Sequence, residues 1–164
     1  ILTISTILMR IIFGKESTVI QMIGKYAFPI GFALGFASIT GSLIYSEIYN
    51  LPPCLLCWWQ RIFIYPQALF FAVAWYRTEK GHIENNIFFY TLPLAIIGTI
   101  TSLYHVILQR GVISSTGACV LSEVSCTTID VQIFGFITIP IMAFVIGLAL
   151  TVLGYIAINH KKTA

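Results

Sequence analysis

The chain has 164 residues, 58% hydrophobic and 9% charged, with a formal net charge of +3 and a mean hydropathy of +0.92. A soluble domain carries roughly 25% charged residues, so this composition excludes a water-exposed globular fold. The small net charge, with no basic cluster, leaves no electrostatic footprint for nucleic acid. At roughly 20 residues per span the length allows about four transmembrane helices, and the expected fold is an all-α membrane four-helix bundle.

Residues 1–23 begin with an apolar stretch too short to span. They are expected to form a tail or a segment lying at the membrane surface, ahead of a transmembrane domain over 24–164. The first span is expected at 26–49. Gly31 and Gly35, followed by Gly41 and Ser42, give it a face of small residues on which another helix can pack closely. Glu47, near its end, is expected to be solvated at the interface.

Leu51-Pro-Pro-Cys-Leu-Leu-Cys-Trp-Trp-Gln-Arg61 follows. Pro52 and Pro53 cannot continue a helix and bias the chain before Cys54 toward an extended form. The pair Cys54 and Cys57 then falls at the start of the second span, expected at 58–76 with a kink at Pro66. Unpaired N–H groups and the helix dipole favour a thiolate at such a place. Arg61 lies one turn below Cys57 on the same face, where a fixed charge can stabilise a thiolate or polarise a bound acceptor.

The third span is expected at 87–108, carrying Pro93 and ending in Tyr104 and His105. A turn-rich segment from 109 to 132 holds Cys119 and Cys126. The fourth span is expected at 133–158, with Pro140 inside it. Four spans put both termini and the 77–86 loop on one side, with Arg10, Lys15, Lys25, Arg77, Lys80, Lys161 and Lys162. Only Arg61 and Arg110 fall on the other. The basic side is expected to be cytoplasmic, so both cysteine pairs face outward.

Three chemistries fit four outward cysteines. The first is a pair of structural disulfides bracing loops. The second is a metal held by four thiolates, disfavoured because Cys-x6-Cys is not a usual zinc spacing and the outward face oxidises thiols. The third is redox exchange. A Cys-x-x-Cys ring constrains little of the unfolded chain, which weakens the structural reading. A pair at a helix start gives up or takes electrons easily. In the redox reading a soluble protein docks on an exposed Cys119/Cys126 loop, and the membrane-edge pair passes electrons to a lipid-soluble acceptor, which points to a quinone. The chain has neither a haem Cys-x-x-Cys-His nor a Gly-x-Gly-x-x-Gly loop. His105 is a candidate hydrogen-bond donor to a quinone carbonyl.

Tyr45-Ser-Glu-Ile48, Pro53-Cys-Leu-Leu-Cys-Trp-Trp-Gln-Arg-Ile62 and Tyr65-Pro66 closely resemble the disulfide bond formation protein B family. Gly135-Phe-Ile-Thr-Ile-Pro140 is similar to its short BdbC branch from Gram-positive bacteria. The resemblance covers the chain from about residue 26 onward. It implies a bacterial plasma-membrane enzyme, a protein-dithiol:quinone oxidoreductase that reoxidises a thioredoxin-fold oxidase of the DsbA or BdbD type. The implied cofactor is ubiquinone or menaquinone. Cys54 and Cys57 would be the quinone-linked pair, with Cys57 beside the ring, supported by Arg61. Cys119 would form the mixed disulfide with the partner, and Cys126 would exchange with Cys54. No metal is implied. Longer members separate the second pair by a much longer loop, whereas six residues lie between Cys119 and Cys126 here. Trp59 stands where a tyrosine is common. Two rivals remain: a quinone reductase of the vitamin K epoxide reductase type, whose redox pair usually falls late in the chain, and a non-enzymatic tetraspan protein with structural disulfides.

Overall fold

The computed structural model describes residues 26–80, 86–113, 119, 124–129, 131–132 and 135–161. The expected tail or surface segment at 1–23 lies outside them. Four helices appear among the described residues: α1 (Ala27–Leu43), α2 (Leu55–Glu79), α3 (Ile87–Gln109) and α4 (Ile139–Lys161). α1 runs on into a π-helical turn, Ile44–Ile48, so the first expected span ends within a residue of its boundary but with its last turn widened.

Neighbours in sequence are neighbours in space: α1 packs on α2, α2 on α3, and α3 most extensively on α4, while α1 also touches α4. The small-residue face of α1 carries out its expected task. A Cβ at Gly31 would stand 2.8 Å from the Phe71 ring, and one at Gly35 would stand 3.0 Å from the Ala68 Cα. Only bare backbone lets α1 approach α2 this closely. Phe71, Ile64, Phe28, Phe88, Ala95 and Leu150 fill the centre, with Phe28 stacked on Phe88 at 5.1 Å. Outward positions such as Leu69, Tyr90 and Ile100 remain largely exposed, a surface suited to acyl chains rather than water.

Three of the helices are long and apolar enough to cross a membrane: α1 with its π turn, α3 and α4. α2, 25 residues long, misses that standard of composition because Gln60, Arg61, Gln67 and Arg77 interrupt it. Gln60 and Gln67 both point inward and are buried.

Two boundaries differ from expectation. α2 begins three residues early, at Leu55, because Cys54 caps it. α4 begins at Ile139 rather than 133, so Pro140 is its second residue and not an interior one. In the first turn the missing proline N–H would have had no helical partner, and the fixed φ favours initiation there. Pro66 and Pro93 do sit inside their helices, as expected.

Candidate functional site

The site is built where the chain leaves α1 and enters α2. Asn50 takes a left-handed conformation, φ 52°, which asparagine tolerates better than most residues. It turns the chain into the two prolines. Cys54 follows in extended backbone, and its sulfur accepts the N–H of Cys57 at 3.3 Å. The thiol therefore occupies the N-cap position, satisfying a helix-end donor that has no intrahelical partner.

The Cys57 Sγ lies 2.7 Å from Cys54 Sγ. The hydrogen bond from Cys57 is the largest influence on the Cys54 thiol, followed by opposing burial and then by His105. Together they draw its pKa down to about 5. Cys54 is 6% exposed, so this sulfur is both ionisable and sheltered.

His105 comes from the last turns of α3. Its Nε2 lies 3.8 Å from Cys54 Sγ and 3.0 Å from the carbonyl oxygen of Cys126, and its Nδ1 lies 3.2 Å from Nε2 of Gln60. The ring is 2% exposed, so it is a core group and not a solvated interfacial histidine. One turn on, Gln109 donates to the carbonyl of Thr128 at 2.9 Å. Two donors on one face of α3 thus fasten the Cys126 segment across the top of the bundle.

Cys119 and Cys126 form a disulfide, their Cα atoms 5.7 Å apart. The sequence suggests an exposed pair. Instead Cys119 is 8% and Cys126 1% exposed, and both join Cys54 and Leu108 in one apolar cluster. A disulfide is weakly polar and packs like a small hydrophobe, so the cluster gains by enclosing it. The four cysteines are thereby brought together at one end of the bundle.

Arg61 reaches α1. Its Nε donates to Ser42 Oγ at 3.0 Å and its Nη2 to the Ser42 carbonyl at 3.2 Å, while its guanidinium lies 5.3 Å from the Trp58 ring centre. These contacts fix the charge in place beside Cys57. Glu47 is exposed, as expected, and accepts from Ser46.

Below the cysteines a cleft of about 590 Å³, including its open mouth, runs between α1, α2 and α4. Cys57 and Arg61 line its head, Gly41 and Tyr65 its sides, and Met142 and Ile146 its far wall. Among the described residues a Cβ at Gly41 would meet nothing within 4 Å, so this glycine keeps the cleft open where Gly31 and Gly35 serve packing. The hydroxyl of Tyr65 is buried with no hydrogen-bond partner among the described residues. A flat apolar ring carrying carbonyl oxygens fits such a cleft, with Arg61 and Tyr65 as donors.

Sequence reasoning missed Gln60 and Ser42. Gln60 had a signal, a polar side chain directly before Arg61 in an aromatic run. Ser42 acts partly through its carbonyl, which no side-chain pattern displays. Cys54, Cys57 and His105 also place two sulfurs and a ring nitrogen within 4.8 Å of one another. That donor set suits a soft cation only when the thiols are reduced and Nε2 carries no proton.

Residues 24–157 match the family model for disulfide bond formation protein DsbB. Among curated proteins, the chain is 36% identical over 137 residues to probable disulfide formation protein C 1 of Bacillus anthracis, covering 84% of this chain and 95% of the relative. It is 38% identical over 135 residues to probable disulfide formation protein C 2 of the same organism, covering 82% and 92%. It is 38% identical over 121 residues to the SPbeta prophage-derived disulfide bond formation protein B of Bacillus subtilis (strain 168), covering 74% and 78%. No solved structure matches the chain.

Proposed function

The chain belongs to the disulfide bond formation protein DsbB family, and we propose that it is a thiol:quinone oxidoreductase that reoxidises an extracytoplasmic thioredoxin-fold oxidase. One observation carries the reading. Two cysteine pairs, one disulfide-bonded and one capping a helix, share a single buried cluster at the head of an apolar cleft.

The relay runs inward. A thiolate of the partner attacks Sγ of Cys119; the new bond forms, the Cys119–Cys126 bond breaks, and Cys126 leaves with the electron pair as a thiolate. The partner's second thiol then attacks its own mixed-disulfide sulfur and departs oxidised, leaving Cys119 reduced. The two electrons pass on when Cys126 attacks Cys54. A Cys54–Cys126 bond forms, the Cys54–Cys57 bond breaks, and Cys57 carries the charge beside Arg61. Closing Cys119 back onto Cys126 releases Cys54 and leaves the Cys54/Cys57 pair fully reduced.

Cys57 and Arg61 would hold a quinone in the cleft they line, while His105 sits against Cys54 and Cys126. A quinone bound there supplies a two-electron, two-proton acceptor that returns the pair to the disulfide. Arg61, fixed by Ser42, supplies positive charge without having to reorganise. Burial of Cys54, Cys119 and Cys126 keeps water away from the exchanging sulfurs.

The test uses the oxidised chain and a thioredoxin-fold oxidase lacking its second active-site cysteine. A mixed disulfide on Cys119 is the expected product. Attachment at Cys126 would reverse the order of the loop pair. Failure to link, with all four cysteines resistant to mild reductant, would favour a structural role.

A further inference from the structure

The groups around His105 determine which of its nitrogens carries the proton. A carbonyl oxygen can only accept, so the 3.0 Å contact with Cys126 requires a hydrogen on Nε2. A neutral imidazole has one N–H, so Nδ1 is then an acceptor. The group facing it at 3.2 Å is the amide nitrogen of Gln60, a donor. Gln60 is 4% exposed and His105 2%, too deep for water to replace either bond cheaply. With a neutral ring, the network is satisfied when Gln60 donates to Nδ1 and Nε2–H points at Cys126 and Cys54.

We infer that Gln60 is a positioning residue for disulfide exchange: it holds the His105 Nε2–H toward Cys126 and Cys54, so that the imidazole fastens the two cysteine pairs together and does not serve as the ligand of a quinone carbonyl. Both ring nitrogens are already engaged inside the protein, and the ring has no second donor to offer an acceptor. The inference rests on the proposed exchange between Cys126 and Cys54. In that step Cys126 Sγ bonds to Cys54 Sγ and Cys57 departs as the thiolate. His105 keeps the Cys126 backbone beside its target and places an N–H 3.8 Å from the sulfur under attack. The Gln109 bond to Thr128, one turn along α3, holds the same segment from its far end.

Partner binding is not needed to test this. In a Cys57→Ser, Cys119→Ser background only Cys54 and Cys126 remain, and equilibration with glutathione gives the effective concentration of one thiol at the other. Gln60→Met keeps the side-chain volume without the donor, and Gln60→Glu keeps the shape but can only accept. Both should lower that effective concentration roughly tenfold, the scale of one hydrogen bond. Gln60 also borders the cleft, so its variants are read on the thiol equilibrium, while reduction of a short-chain benzoquinone by the four-cysteine protein with dithiothreitol tests the functional proposal separately. An unchanged effective concentration in Gln60→Met would overturn the inference. If the wild-type chain reduces no quinone, the functional proposal fails while the thiol measurement still decides the role of Gln60. Nitrogen NMR of ring-labelled histidine in the wild-type chain provides a reading free of variants. His105, assigned by its loss in His105→Ala, should show a bare Nδ1 and a protonated Nε2; a proton on Nδ1 would contradict the inference.

Discussion

The Nε2 of His105 lies 3.8 Å from Sγ of Cys54, a meeting between the end of one long helix and the cap of another, 51 residues apart in sequence. Around it the two cysteine pairs, the Gln60 amide and the Cys126 carbonyl form one buried unit. Most of what can be tested about this protein concerns the chemistry that the unit imposes on Cys54.

The reactivity of Cys54 should persist into acid. Its thiol is lowered to about 5, first by the Cys57 hydrogen bond and then by His105. The thiolate is the nucleophile, so alkylation of the reduced protein should be flat from neutral pH down to about 5 and fall about tenfold per unit below it. Cys57→Ala should move the midpoint up more than His105→Ala, following the order of the two hydrogen bonds. A wild-type midpoint near the ordinary thiol value of about 8.5 would contradict the geometry of the cap.

Arg61→Lys should damage quinone use while leaving the fold intact. The planar fork makes two bonds to Ser42 and lies near Trp58, and a lysine ammonium cannot reproduce that arrangement. Quinone KM should rise about tenfold, the equivalent of roughly one or two hydrogen bonds. Ser42→Ala, which spares the carbonyl contact, should have a smaller effect. Unchanged quinone kinetics in Arg61→Lys would remove Arg61 from the site.

The glycines of α1 should separate into two kinds. Gly31→Ala forces a methyl against Phe71 at 2.8 Å and should destabilise the bundle by about 1–3 kcal/mol, the usual cost of overpacking. Gly41→Val meets nothing with its Cβ and fills the cleft instead. It should leave thermal stability in detergent nearly unchanged and raise quinone KM. Equal losses of stability at both positions would show that the cleft is not open at Gly41.

Much of this site is legible in the sequence because its chemistry is local. Two prolines before Cys-x-x-Cys announce a helix start, and the spacing of Arg61 from Cys57 puts them on one face. Gly31 and Gly35 mark a close helix contact by their spacing alone. The rest depends on groups distant in sequence. That His105 is a core residue follows only from α3 lying against the cap of α2. The enclosure of Cys126 follows from the Gln109 and His105 bonds to Thr128 and Cys126, which hold it against Leu108. Apolar composition runs on through 133–138, so the sequence does not show that α4 starts only at Ile139, with Pro140 in its first turn.

The most direct test of the relay is the loss of quinone absorbance when the purified chain is mixed with a reduced thioredoxin-fold oxidase and a soluble quinone, in wild type and in Cys57→Ser. The relay requires turnover in wild type that depends on the oxidase, and none in Cys57→Ser. Wild-type turnover in Cys57→Ser with quinone as sole acceptor would contradict it.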